Sequence, residues 1–173
     1  RVQNETDTKN TPRIVIIGKF KNLYDEEYIA LAFEEIGCTV LRIEDKLLTH
    51  FVIEKIEAFK PDYVLWIKFT VTEPKKLREY LRKYKTICWV FDLYWGYERE
   101  YRLTTHPAFT ADYVFTTDGG NDERFKSIGI NHVCIRQGIH KPDCFMYSPH
   151  PEDKIVFVGS ENALHAARYK LLD

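Results

Sequence analysis

Seven short runs of β-branched and aromatic residues recur along this chain, nearly unbroken in apolar character, and stretches with helical spacing lie between most of them. The runs are Arg13–Ile17, Cys38–Ile43, Asp62–Ile67, Thr86–Phe91, Tyr113–Thr116, His132–Ile135 and Lys154–Val158. A strand with one face in water alternates apolar and polar residues, whereas one covered on both faces reads as a continuous apolar segment. Runs of the second kind separated by helices imply an α/β fold with a doubly wound, mostly parallel sheet whose first strand is central.

Between the first two runs Tyr28, Leu31, Ala32 and Ile36 recur at helical spacing, and Gly37 stands where a C-terminal cap is wanted. Thr49 to Lys60 reads as a second helix stopped by Pro61, Glu73 to Lys83 as a third with Pro74 in its first turn, and Asn121 to Ser127 as a shorter one before Gly129. The domain reading is a polar tail over 1–12, a Rossmann-like domain over 13–141, a Pro-rich hinge over 142–153, and a second, truncated domain opening at 154–173.

With 45% hydrophobic positions in 173 residues, one sizeable core can form. Lys and Arg number 25 against 26 Asp and Glu, a net charge of −1, so no global field draws the chain to nucleic acid or an anionic membrane. No apolar run reaches a membrane-spanning length, and the start lacks a hydrophobic signal core; the expectation is a soluble, cytoplasmic protein. Cys38, Cys88, Cys134 and Cys144 form no CxxC pairs and read as buried thiols in a reducing compartment. His132-x-Cys134, with His140 and Cys144 following, is a second reading as metal ligands, but its spacing fits no common zinc pattern, and no metal is expected.

Ligands of open parallel sheets bind outside the carboxyl ends of the strands, which directs attention to the residues just after each run. Gly18 follows the first, but Gly18-Lys19-Phe20 lacks both the three-glycine dinucleotide fingerprint and the phosphate loop, which disfavours NAD, ATP and an oxidoreductase role. Gly18 still permits close approach of a substrate, or serves only a turn. Asp92 ends a very apolar strand, where desolvation would raise a carboxylate's pKa and suit it to general-base work; a helix cap or a pair with Arg99 or Arg102 is the alternative. Tyr94, Trp95, Tyr97 and Tyr101 offer either a stacking platform for sugar rings or packing. Asp118 lies in the Thr116–Gly120 loop as a candidate ligand residue, with Asp118 or Asn121 otherwise capping the next helix. Arg136, beside Gly138, suits a phosphate or sugar, or an ordinary ion pair.

Val90-Phe-Asp-Leu93, Ala111-Asp-Tyr-Val-Phe-Thr-Thr-Asp118 and Ile135-Arg-Gln-Gly-Ile139, with Phe145 and Pro149 downstream, follow one another in an order that resembles the N-terminal half of GT-B glycosyltransferases. The group that includes the spore-maturation CgeB-like proteins is the most similar. The resemblance implies transfer of a sugar from a nucleotide diphosphate sugar to a hydroxyl acceptor, with no cofactor and no required metal. Asp92 would be the base; Gly18, Lys19, Tyr94, Trp95, Asp118, Arg136 and Gly138 would line the acceptor side. Phe157-Val-Gly159-Ser160 and Arg168 would face the donor phosphates, and the remainder of a C-terminal donor domain is expected but missing from the 173 residues. The rival expectation is a non-catalytic flavodoxin-like binding or interaction module. A response-regulator receiver would need an acidic pair after the first strand, which Gly18-Lys-Phe does not offer.

Overall fold

The computed structural model describes residues 11–21, 24–45, 49–68, 79–136 and 138. The chain divides into two units, Arg1–His140 and Lys141–Asp173, and all described residues belong to the first. The expected seventh strand, the 142–153 hinge, and Gly159, Ser160 and Arg168 therefore lie outside the described residues.

Six strands, β1 (Arg13–Gly18), β2 (Thr39–Glu44), β3 (Tyr63–Ile67), β4 (Lys85–Trp89), β5 (Tyr113–Thr116) and β6 (His132–Cys134), form one sheet in the order β2-β1-β3-β4-β5-β6. Every neighbouring pair is parallel. The fold is α/β and doubly wound, with β1 inside the sheet, as the continuous apolar runs predict. The order 2-1-3-4-5 is that of flavodoxin-type sheets, in which the direction of winding reverses between β1 and β3.

Helix α1 (Asp25–Glu35) covers one face, where Ile14, Ile16, Leu65 and Ile67 pack around Ala30. Helix α2 (Thr49–Phe59) covers the other, bringing Val52 and Ile56 against Val15, Ile17, Ile43, Val64 and Trp66. On this second side of the sheet a third cluster joins Cys88, Val90 and Val114 to the short helix α3 (Arg102–Thr105), the 3₁₀ turn Pro107–Thr110 and helix α4 (Asp122–Ser127). Of the expected helix over Glu73 to Lys83, residues 79–81 are helical and 73–78 lie outside the described residues.

The expected glycine cap at Gly37 forms, and Gly129 makes a second one. Gly37 has φ 91°; its N–H donates to Glu34 O at 2.9 Å, and Cys38 N–H donates to Phe33 O at 2.9 Å. Gly129, with φ 78°, repeats the pattern: its N–H donates to Lys126 O and that of Ile130 to Phe125 O, both at 3.0 Å. A left-handed residue closing two such bonds satisfies the last helical carbonyls, and glycine does so without a Cβ clash.

The buried stripe of α1 departs from the expected one. Ile36 is 75% exposed, whereas Glu26 and Ala30 are buried and Ile29 and Phe33 pack with the core. The cause is tertiary: Arg42 of β2 donates to Glu27 at 3.1 Å and to Glu34 at 2.6 Å, which turns that side of the helix toward β2, and Ala30 lets the helix lie close to the sheet. A carboxylate, Glu26, thereby occupies a core position.

Phe125 is fully buried, stacked against His132 at a 4.0 Å centroid distance and edge-on to Trp95 at 5.5 Å. Truncation to Ala removes the ring on which α4 docks. Phe125→Ala is expected to lower unfolding stability by about 3–5 kcal/mol, read as a shift of the urea midpoint at unchanged slope.

Candidate functional site

A wholly parallel sheet collects all its carboxyl ends along one edge, so Gly18, Asp45, Lys68, Asp92, Asp118 and Arg136 emerge on the same side of the molecule. They fall into two groups.

Around β4 to β6 the polar side chains are consumed by one another. Asp118 is 3% exposed, and its Oδ2 accepts the N–H of Tyr94 at 2.7 Å and that of Trp95 at 3.3 Å. It caps no helix; Asn121 holds the N-cap position of α4 without a side-chain cap bond. Asp118 instead clips the loop after β4 to the loop after β5. The clip is held from below: Asp118 N–H donates to Thr116 Oγ1 at 2.9 Å, Thr116 Oγ1 meets His132 Nε2 at 2.8 Å, and His132 Nδ1 meets Asp122 Oδ1 at 2.7 Å. With a neutral imidazole one assignment satisfies every member: Nδ1–H donates to Asp122, and Nε2 accepts the Thr116 hydroxyl proton. The order carboxylate, imidazole, hydroxyl is that of a nucleophilic triad, but Thr116 is fully buried and no substrate reaches it. His132 thus turns inward while Cys134 is exposed, so the two do not form a ligand pair. Among the described residues no group of three or more His, Cys, Asp or Glu side chains is placed to hold a metal ion.

Asp92 takes the second of its two expected roles, the ion pair with Arg99, and not the desolvated one. Its side chain is 66% exposed and paired with Arg99 at 3.0 Å, so it stands in water beside a cation and not in a desolvated cleft. The strand ends at Trp89 and Val90 is still buried in the core, but by Asp92 the chain has come to the surface. The aromatic set splits. Tyr94 is 3% exposed and packs edge-on to Phe109 at 4.9 Å, and Trp95 lies part-buried beneath the Arg124 guanidinium at 4.1 Å. Tyr97 and Tyr101 remain exposed and keep the capacity to stack. Trp95, Tyr101 and Leu103 line a shallow groove of about 340 Å³. Arg136 and Gly138 are exposed, and a Cβ at Gly138 would meet nothing within 4 Å.

Around β1 to β3 two buried carboxylates keep oxygens without a hydrogen-bond partner. Gly18 is buried, and the room left by its missing side chain is filled by Glu26: a Cβ there would lie 2.6 Å from Glu26 Cγ. Glu26 is 2% exposed and its Oε2 has no hydrogen-bond partner; Asp45, directly after β2, is 3% exposed and neither carboxylate oxygen has one. Asp45 N–H donates to Gly18 O at 3.0 Å, so the two acids flank the same turn. Lys68 leaves β3 in the left-handed region with φ 47°; its Nζ pairs with Asp25 Oδ2 at 2.6 Å and lies 4.8 Å from the Phe91 ring centre. Lys19 is half-buried beside Gly18. The left-handed Lys68 lies where the winding reverses, between β1 and β3, whereas Asp45 follows β2 on the far side of β1. Sequence reasoning missed Glu26 and Asp45. Asp45 had a usable signal, since Ile43 in, Glu44 out and Asp45 in continues the strand's alternation.

No protein-family model matches this chain, and no curated protein matches it. Among the described residues no helix is long and apolar enough to cross a membrane.

Removing the Asp118 clip leaves two amides without their acceptor. Asp118→Ala is expected to cost about 2–4 kcal/mol and to speed hydrogen exchange at the Tyr94 and Trp95 amides while sparing β1 to β3. Burial pushes the Tyr94 phenol up to about 12, with the Asp92 charge adding to the shift. Because the folded value lies above the unfolded one, the neutral phenol's contribution to stability is complete below about pH 10 and is lost as pH rises toward 12. Absorbance titration of the tyrosines should show a late-titrating phenol that Tyr94→Phe removes and Asp92→Asn brings to lower pH.

Proposed function

We propose that this chain is part of a GT-B-type glycosyltransferase, with the described domain on the acceptor side. The observation that carries the reading is that β4, β5 and β6 deliver Asp92, Asp118 and Arg136 to one edge in the order of the resembling motifs, and that of the two acids only Asp92 keeps an exposed carboxylate. In the proposed reaction Asp92 accepts the proton of an acceptor hydroxyl, and the acceptor oxygen bonds to the anomeric carbon of the sugar. The bond from that carbon to the nucleoside diphosphate breaks, and the diphosphate leaves. Arg99 orients the Asp92 carboxylate; Tyr97 and Tyr101 would stack on an acceptor ring. Gly159, Ser160 and Arg168, outside the described residues, would meet the donor phosphates.

A second reading, a non-catalytic flavodoxin-like binding module, is favoured by the strand order and by the commitment of Asp118 to the backbone. Release of nucleoside diphosphate from UDP- and GDP-sugars in the presence of hydroxyl acceptors separates the two. Asp92→Asn is expected to cut turnover by about 10²-fold or more. Since an exposed ion pair contributes little, the same change should move the melting temperature by no more than about 3 °C. Turnover equal to wild type would remove Asp92 from the mechanism, and no release with any donor would favour the binding module.

A further inference from the structure

The groove beside α3, about 340 Å³ in volume, is lined by Trp95, Glu100, Tyr101, Leu103, Thr104 and Ile128. Its backbone is tied down. Gly96, in the left-handed region with φ 79°, donates its N–H to Glu100 Oε2 at 2.6 Å, and the Tyr101 carbonyl accepts the Thr104 and Thr105 hydroxyls at 3.1 and 3.0 Å. Leu103 is buried in one cluster with Tyr94, Phe109 and Phe125, which anchors the segment to the core. On that frame Tyr101 stays 60% exposed, and Ile128 is exposed as well. A large aromatic ring held on a fixed frame and left open to solvent is a platform for another apolar surface.

We propose that this groove seats one neutral pyranose ring, with the C–H face of the sugar on Tyr101 and its hydroxyls donating to Glu100. Among the described residues Glu100 Oε1 makes no hydrogen bond, and its cation, Arg124, stands 3.9 Å away with the guanidinium over Trp95. That pairing decides the charge of the ligand: Arg124 offsets Glu100, so the groove favours neither a cation nor an anion. A sugar ring combines the two properties that remain, an apolar face and a rim of hydroxyl donors. An apolar side chain of a protein partner would instead cover Glu100 Oε1 without a donor and leave a desolvated carboxylate. The volume lies near the lower end of the range of small-molecule sites, about 300–1,000 Å³, which suits a single ring. Naming that ring as part of the acceptor rests on the sugar-transfer reading; the binding itself does not.

The whole chain, labelled with ¹⁵N, is titrated with methyl β-D-glucopyranoside and methyl β-D-galactopyranoside. Sorbitol serves as a polyol without the ring, and cyclohexanol as a ring without the hydroxyl rim. A glycoside is expected to move the backbone amide resonances of Glu100 to Thr104 and of Ile128 saturably, with half-saturation at about 1–10 mM. Tyr101→Ala and Glu100→Gln should each weaken binding about 5-fold or more. Tyr101 is exposed, and Gln keeps an oxygen for the Gly96 N–H, so both variants should hold the wild-type melting temperature to within about 3 °C. Cyclohexanol or sorbitol moving the same amides as strongly would overturn the proposal, as would a lack of saturation with both glycosides or unchanged affinity in either variant. Saturable binding with no release of nucleoside diphosphate from any donor keeps the seat and sinks sugar transfer. Release with an acceptor KM that Tyr101→Ala leaves unchanged keeps transfer and sinks the seat.

Discussion

The parallel direction of all six strands is the constraint on which the other features depend. Parallel neighbours cannot be joined by a tight turn, so every connection must cross back over a face of the sheet. Those crossings bury both faces, which is why the strands read as unbroken apolar runs. They also place every strand exit on one edge, so that chemistry scattered from Gly18 to Arg136 in the chain is gathered in space. The amino edge is closed by carboxylates: Asp62 accepts Arg13 N–H at 2.8 Å, and Asp112 accepts both Thr86 N–H at 2.7 Å and its hydroxyl at 2.8 Å.

The two halves of the carboxyl edge treat their polar groups differently. Over β4 to β6, Asp118, Thr116, His132 and Asp122 satisfy one another, and such a network rigidifies what it touches because each loss would strand a partner. Over β1 to β3, Glu26 Oε2 and both Asp45 carboxylate oxygens are desolvated without a hydrogen-bond partner, which costs stability. The rigid half presents Asp92, Tyr97 and Tyr101, all exposed, on a fixed frame.

Much of the fold was legible because its signals are local. Five strands fell within a residue or two of the expected runs, and His132–Cys134 within one. Gly37 ends its helix in the left-handed conformation that its position suggested. The candidate site was less legible. Asp92 was expected at a desolvated strand end, but the strand stops at Trp89 and the carboxylate emerges beside Arg99. Tyr94 and Trp95 were equally good as platform or packing, and Asp118 decided between them by fixing their amides and turning Tyr94 into the core.

The sequence by itself determined the α/β class, the position of each described strand and the glycine-capped end of α1, because hydrophobic period and backbone freedom act over a few residues. Only the tertiary structure decided which stripe of α1 is buried, since Arg42 of β2 sets the helix rotation through Glu27 and Glu34. It alone assigned Asp118 to the amides of residues 24 and 23 positions earlier, and left Glu26 Oε2 and both Asp45 carboxylate oxygens buried without hydrogen-bond partners. The reason is physical: a carboxylate's role depends on what surrounds it, and in a parallel sheet those surroundings come from strands distant in the chain.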